Sequence, residues 1–349
     1  VTESNALTDL APLAALSSVW EVRIIENARL RSLRGLGSLT PAGILTTYPD
    51  WGIEIRGNTA LTSLEGLEGL TDFSAHSIAV HDNPALASLT GLRNLTSIYQ
   101  LVVANADALV DLTGLDSLTT AYGPEPSSYS AYGLAVSDND RLTSLHGLEA
   151  LRTVGDLGIS GPALASLAAL AGLTSVEGSL GIMETGVLTN LHGLEGLTTV
   201  RGSVLFDRND ALSDLSGLAH LRTIGNELNM RDNAALRTAT LAGLEQVGYD
   251  SYFACTGSYG CSIHIEEEPV LEEVTFPVLV RVQWNLVIGL LWNPRLVAVH
   301  APALTEIQGV SVQQAEALRT LDFAALPSIT SLGLFGNDGP LDDLRFPSL

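Results

Sequence analysis

A leucine-rich motif recurs along almost the whole chain and constrains its fold more than any other feature. In its clearest copy, an alternating run from Leu134 to Ser137 is followed by a turn at Asn139 and then by leucines at every third position. The alternation predicts a strand that is buried on one side. The glycine-interrupted leucines predict short extended or 3₁₀-like segments. One such unit cannot bury its own leucines, so the motif predicts coils that stack into a solenoid.

Thirteen strand-and-turn units can be recognised, and they predict an all-β protein, a parallel β-solenoid of about thirteen leucine-rich-repeat-like coils. Turn asparagines such as Asn58 and Asn83 are 25 residues apart, within the range of roughly 20–29 for leucine-rich repeats. We expect a single domain over residues 1–349, with loop insertions at 40–51, 122–132 and 249–262. The predicted units are Val22–Asn27, Ile53–Asn58, Ile78–Asn83, Leu101–Asn105, Leu134–Asn139, Leu157–Gly161, Leu180–Gly186, Val204–Asn209, Leu228–Asn233, Ile263–Glu268, Leu286–Asn293, Val310–Ala315 and Leu332–Asn337.

The repeated asparagines and glycines are interpreted as structural residues. Asparagine suits tight turns, and its amide can bond backbone groups of the next coil. Glycine suits a positive φ or a close approach between coils. The asparagines concerned are Asn27, Asn58, Asn83, Asn105, Asn139, Asn209, Asn233, Asn293 and Asn337, and the glycines are Gly66, Gly91, Gly114, Gly147, Gly193 and Gly217.

The pattern of strand, asparagine turn and Leu-x-Ser-Leu-x-Gly-Leu resembles the receptor L-domain family, with its clearest copies at Leu61–Leu67, Leu86–Leu92 and Leu142–Leu148. It is similar also to the repeat of bacterial surface proteins and fungal cell-wall proteins. The later Phe-Pro-x-Leu form, as in Phe276–Leu279, also occurs in those families. The resemblance implies a right-handed β-solenoid at a cell surface. It does not specify a ligand, because one fold hosts many functions.

The charge of the chain limits its partners. It contains 39 acidic residues and 17 basic ones, all of them arginine, for a net charge of −22. Nucleic acid is disfavoured as a partner because phosphate contacts need clustered positive charge, and anionic lipid surfaces are disfavoured for the same reason. No run of about 18 apolar residues is present, so we expect no membrane insertion. No signal peptide is visible at Val1, which suggests a processed or trimmed chain.

The two cysteines, Cys255 and Cys261, are separated by five residues that include two glycines. This spacing suits a small loop closed by a disulfide. Disulfides form in oxidising compartments, so the pair favours an extracellular or cell-surface location, with the protein secreted or anchored to the envelope.

Candidate binding residues fall into two groups. The three insertions carry aromatic side chains that offer rigid contact area with a polar tip, although such loops are also the most variable parts of a protein. The aromatic candidates are Tyr48, Trp51, Tyr122, Tyr129, Tyr132, Tyr252 and Tyr259. On the outward positions of the predicted sheet, His81, Arg231 and His264 are further candidates, whereas the small residues from Ala135 to Gly181 either admit a flat partner or are simply tolerated.

The sequence contains no recognisable catalytic, phosphate-binding or dinucleotide-binding motif. We therefore expect no enzymatic activity and no cofactor. The alternative is a glycosidase whose paired catalytic carboxylates are scattered over the solenoid. Calcium at Glu266, Glu267 and Glu268 would require the three carboxylates to converge. The run lacks the spacing of a dedicated calcium loop, which favours a solvated acidic turn.

Two functional hypotheses follow. The first is a non-enzymatic extracellular recognition or adhesion module that binds a protein or glycan through its sheet face or its tyrosine-rich loops. The alternative is a structural subunit of a surface layer or fibre that binds further copies of itself end to end, because exposed core leucines at solenoid ends favour stacking.

Overall fold

The computed structural model describes residues 1–4, 6–41, 52–122, 133–248, 261–288, 293–337 and 341–346. These residues form a parallel β-solenoid of about 11 turns with almost no helix, which confirms the predicted fold class. The predicted thirteen coils are slightly too many, because a count of strands exceeds a count of complete turns. The chain divides into two compact units, unit 1 (Val1–Leu173) and unit 2 (Thr174–Leu349). That they make up a single domain stays a prediction.

Unit 1 is built on a main parallel sheet formed by β2, β4, β5, β6, β8 and β10 in that order. The short strands β7 and β9 extend a second column from the first residues of β6. Its strands are β1 Ser18–Val19, β2 Val22–Ile25, β3 Thr40–Pro41, β4 Ile53–Arg56, β5 Asp72–His81, β6 Ser97–Ala104, β7 Thr120–Ala121, β8 Leu134–Ser137, β9 Thr153–Val154 and β10 Leu157–Ser160, and its 3₁₀ helices are Ala11–Leu13, Thr90–Leu92 and Ala168–Leu170.

Unit 2 contains its own row of main strands of the same kind, formed by β12, β14, β16, β19, β22, β24 and β26. A column of two-residue strands runs beside it. Its strands are β11 Ser175–Val176, β12 Leu180–Met183, β13 Thr199–Val200, β14 Val204–Asp207, β15 Thr223–Ile224, β16 Leu228–Arg231, β17 Thr238–Thr240, β18 Gln246–Val247, β19 Ile263–Glu266, β20 Glu273–Thr275, β21 Arg281–Val282, β22 Asn285–Ile288, β23 Ala298–His300, β24 Gly309–Gln313, β25 Thr320–Asp322, β26 Ser331–Phe335 and β27 Asp343–Arg345, with one 3₁₀ helix at Ser216–Leu218.

Unit 2 also contains a second parallel sheet, formed by β17, β20, β23, β25 and β27. The sequence shows this region only as a change to the Phe-Pro-x-Leu form. Inward residues such as Val274 and Val299 are fully buried in this sheet. A three-residue strand has one inward side chain, so its alternation is too short to be recognised in a sequence.

The core is a stack of aliphatic side chains, as the alternation predicts. Leu134 and Val136 of β8 are 1% and 0% exposed, and Ala135 and Ser137 are only partly covered. The leucines that follow, such as Leu145 and Leu148, are fully buried. Burying one leucine contributes roughly 1.5–3 kcal/mol, so each coil gains its stability by covering its neighbour.

An asparagine ladder connects successive coils within each unit. In unit 1, Asn58 Oδ1 accepts a hydrogen bond from the backbone N of Asn27 at 3.0 Å, and Asn58 Nδ2 donates to the carbonyl of Ile24 at 2.8 Å. The amide therefore bonds backbone groups of the preceding coil, and its Nδ2 also donates to the side-chain Oδ1 of Asn83 in the next coil at 3.3 Å. Asn105 lies outside the ladder, because it occupies a left-handed turn with a φ of 52°, and Ala106 takes the ladder place.

The repeated glycines are required for both of the expected reasons. At Gly66 the φ is +116°, and a Cβ would lie 2.1 Å from the carbonyl oxygen of Leu33. Gly91, within a 3₁₀ helix, has no such φ, but a Cβ there would also collide with the backbone of the preceding coil at Leu64. Four of these glycines have a positive φ, and each donates its backbone N–H to the carboxylate of the residue two positions later. The pairs are Gly66–Glu68, Gly114–Asp116, Gly147–Glu149 and Gly193–Glu195.

Candidate functional site

The outward face of the main sheet of unit 1 is flat where the sequence has small residues. Ala135 and Ser137 of β8 and Gly158 and Ser160 of β10 lie on this face. A Cβ added at Gly158 would meet nothing within 4 Å. The surface is bare, but small side chains alone do not indicate what binds there.

A charged group borders this face, and we call it the His81 cluster: Arg23, Glu54, Arg56, His81 and Asp82. His81 Nδ1 lies 3.0 Å from Asp82 Oδ2, and His81 Nε2 lies 3.8 Å from Glu54 Oε1. The hydrogen bonds from His81 and Asn105 hold the pKa of the Asp82 carboxyl below its usual range. The cluster arises because adjacent parallel strands place residues of equal register side by side, as with Arg56 and His81.

A second charged group lies in unit 2, and we call it the Arg231 cluster: Asp207, Arg208, Arg231, Asp232 and Glu267. These residues line a cleft of about 260 Å³. Arg231 Nε lies 2.9 Å from Glu267 Oε2, and Arg208 Nε lies 3.0 Å from Asp207 Oδ2. The hydrogen bond to Glu267 raises the pKa of Arg231. Both guanidinium groups are therefore held in place by carboxylates while about half of each side chain stays exposed.

The turn geometry explains why the Arg231 cluster converges. Arg208, Asp232 and Glu267 each precede a ladder position and have φ values of 54°, 54° and 55°. Equivalent left-handed turns stack along the edge of the sheet, so their side chains emerge side by side. The outward strand position of Arg231 predicts its exposure, whereas strand alternation does not predict that Arg208 and Asp232 lie beside it. The available signal was a charged residue immediately before Asn209 and Asn233.

His264 does not present the exposed surface that its outward position predicts. All four residues of β19 are buried, including the two outward ones: His264 is 4% exposed and Glu266 is 6% exposed. His264 Nδ1 lies 3.6 Å from Glu266 Oε1. Burial also raises the pKa of nearby Glu227, although the charge of His264 lowers it. Strand alternation shows which side a residue faces but not what covers that side, so His264 is corrected from a contact residue to a buried one.

The three glutamates considered for calcium do not converge. Glu266 is buried on the outward side of β19, Glu267 pairs with Arg231, and Glu268 is fully buried in the ladder. Glu266 ends the strand and Glu267 lies in a left-handed turn with a φ of 55°, so the direction of the chain changes between the glutamates and their carboxylates are separated. Across the described ranges, no group of three or more His, Cys, Asp and Glu side chains is placed to hold a metal ion. The expected absence of a cofactor stays a prediction.

Most of the aromatic candidates lie outside the described residues: Tyr48, Trp51, Tyr129, Tyr132, Tyr252 and Tyr259. Tyr122 is described and half-buried, and its backbone N donates to the carbonyl of Ile98 at 2.9 Å. Cys261 is fully buried two residues before β19, whereas Cys255 lies outside the described residues. The disulfide therefore stays a prediction. In the part of the chain that the structure describes, no helix has the length and apolar character needed to cross a membrane.

Comparisons with known proteins place the chain in no family. No family model matches it, and no curated protein matches it. Among solved structures, it is similar to the crystal structure of a TLR13–ssRNA13 complex, with 15% identity and a TM-score of 0.31. The match covers 96% of this chain, and this chain spans 57% of the length of that one. A likeness at this level does not bear on family, ligand or partner.

Proposed function

We propose that this chain is a non-enzymatic recognition module that binds a protein partner through the outward face of its main sheets. The observation that carries the proposal is the Arg231 cluster, in which two arginines are fixed by carboxylates beside an open cleft. Arginine is enriched at protein interfaces, and charges that are already oriented lose less entropy when a partner binds. Complementary charge then supplies specificity.

A protein is favoured over a glycan by the character of this face. Leu205 and Asn229 are the outward residues of β14 and β16 beside the cluster, they are in register with each other, and neither is aromatic. A glycan groove would be expected to offer aromatic platforms, whose apolar faces and polar tips suit sugars. The net charge of −22 favours a partner with a basic surface.

An extracellular or cell-surface location belongs to the same proposal. It is supported by the resemblance of the repeats to the receptor L-domain family and by the closely spaced Cys255 and Cys261. The large negative charge suits a protein that must stay soluble outside the cell. Adhesion is the form of recognition that such a location favours.

Binding is tested with arrays of purified extracellular proteins and of glycans, followed by measurement of Kd for each hit. We expect a basic protein to bind, and Arg231→Glu to weaken that binding at least about tenfold, as at an interface hot spot. Arg237→Glu is the matched control, because Arg237 is also an exposed arginine, 2.7 Å from Glu272, but lies beside β17. Equal effects of both substitutions would remove the Arg231 cluster from the interface. Binding of glycans alone would favour the glycan alternative.

The alternative function, assembly of copies into a layer or fibre, is favoured by one observation. β26 and β27 expose three large apolar side chains, with Leu332 44%, Phe335 62% and Leu344 50% exposed. Exposed apolar side chains of this size promote association.

Light scattering over a concentration series separates assembly from partner binding. If copies assemble, the mass rises with concentration in the native chain and Phe335→Glu abolishes the rise. Val110→Asp serves as the control, because Val110 is 43% exposed in unit 1. Under our leading proposal the mass stays that of one chain at every concentration, and a rise that only Phe335→Glu abolishes would contradict it.

A further inference from the structure

Glu268 occupies a place in the asparagine ladder that an amide fills in the neighbouring coils. It follows β19 as Asn233 follows β16, and its side chain is fully buried. Its carboxyl accepts two hydrogen bonds from Asn233, one from the backbone N at 3.1 Å and one from Nδ2 at 2.7 Å. Its own backbone N donates to Asn293 Oδ1 at 2.8 Å. The ladder therefore continues on both sides of a carboxyl group.

An amide at this place also donates a hydrogen bond, which a carboxylate cannot do. Asn233 Nδ2 donates to the carbonyl of Phe206, and Asn293 Nδ2 donates to that of Ile265. Each acceptor is the third residue of the main strand one coil earlier. The register of β14, β16 and β19 places Met230 at this position ahead of Glu268. Only a protonated carboxyl carries a hydrogen that it can donate to Met230.

The surroundings of Glu268 oppose its ionisation. Burial raises its pKa from the ordinary value of 4.5 to about 8; the hydrogen bonds from Asn233 act against this rise, and the negative charges of Asp232 and Asp207 add to it. The next coil contributes the neutral Asn293. The other charged groups nearby are paired or lie on the same segment, namely Arg231 with Glu267, Arg208 with Asp207, and Glu266.

We infer that Glu268 is a proton-binding site, which holds a proton in the folded chain at neutral pH and donates it to the carbonyl of Met230. Loss of the proton in alkaline solution removes this donor and adds a buried negative charge behind the Arg231 cluster. Asp232 and Glu267, which line the cleft, directly precede Asn233 and Glu268 in the chain. The inference concerns the free chain, so it does not rest on the proposed function.

The test is the pH dependence of folding, measured by denaturant unfolding of the native chain and of Glu268→Gln. Between pH 4.5 and about 8 the folded chain binds one more proton than the unfolded chain, because the pKa of Glu268 is raised by folding. Stability therefore falls as pH rises through this window, with the folding equilibrium constant decreasing by up to about tenfold per pH unit. We expect Glu268→Gln, whose amide oxygen accepts and whose nitrogen donates, to lose this decrease.

Glu267→Gln is the matched control, because it removes the adjacent carboxylate, which is partly exposed and paired with Arg231. We expect it to keep the native pH dependence. A second measurement needs no variant: in the native chain labelled with ¹³C at the glutamate carboxyls, one carbon should titrate near pH 8. Parallel pH profiles for the native chain and Glu268→Gln, with no glutamate carboxyl titrating near pH 8, would overturn the inference.

Discussion

Replacing Gly66 by alanine is expected to destabilise unit 1 by about 2–5 kcal/mol. The φ of +116° at Gly66 strains any side-chain-bearing residue, which costs roughly 1–2 kcal/mol. The new Cβ would also lie 2.1 Å from the carbonyl oxygen of Leu33, and overpacking of this kind costs about 1–3 kcal/mol. The backbone of the preceding coil cannot move aside without breaking its own hydrogen bonds. Equilibrium denaturation with urea measures the loss.

Gly158→Ala is the matched control for this substitution. Gly158 lies in β10, on the outward face of the main sheet, and an added Cβ meets nothing within 4 Å. Alanine there reduces the entropy of the unfolded chain, so we expect a gain of up to about 1 kcal/mol. If both substitutions cost the same, the coils are not in contact at Gly66 and the stacking described above is incorrect.

Replacing Asn58 by alanine is expected to cost about 3–5 kcal/mol, because it removes one step of the ladder. The backbone N of Asn27 loses its acceptor, and the carbonyl of Ile24 loses the donor Nδ2. Asn27 and Asn58 are fully buried, so water cannot replace these bonds. Each unsatisfied buried group costs about 1–3 kcal/mol. Thermal and urea unfolding of the variant, compared with the native chain, measure the effect.

Asn105→Gly separates ladder asparagines from turn asparagines. Asn105 has a φ of 52°, which glycine adopts readily, and its Nδ2 donates to Asp82 Oδ1 on the surface. We expect a change within about 1 kcal/mol. A loss at Asn105 as large as that at Asn58 would mean that the amide acts through the turn and not through the ladder.

The positions of the strands were predictable because they depend on local alternation. Each of the thirteen predicted units contains a strand, from Val22–Ile25 to Ser331–Phe335. The glycine interpretation is confirmed at Gly66 and Gly91, because a repeated glycine after a leucine has few physical explanations. The sequence predicts that the turn asparagines bond the backbone of a neighbouring coil. It does not predict that this is the preceding coil, or that Asn105 takes no part in the ladder.

The candidate site was less predictable, because it depends on which side chains meet across coils. Arg231 was selected from its outward position, but its partner Glu267 is 36 residues away. Glu268 was interpreted as part of a solvated acidic turn, although its place after the strand matches that of Asn233. An alignment of each coil on its strand start would have found this substitution.

The sequence by itself determined the repeat, the inward leucines and the turns, because each depends on a spacing of a few residues within one coil. Only the tertiary structure decided the second sheet of unit 2, the burial of His264 and the cleft around Arg231. These features depend on register between coils and on what covers a face. A carboxyl such as Glu268 has the same chemistry in any sequence, and its burial between Asn233 and Asn293 decides whether it holds a proton.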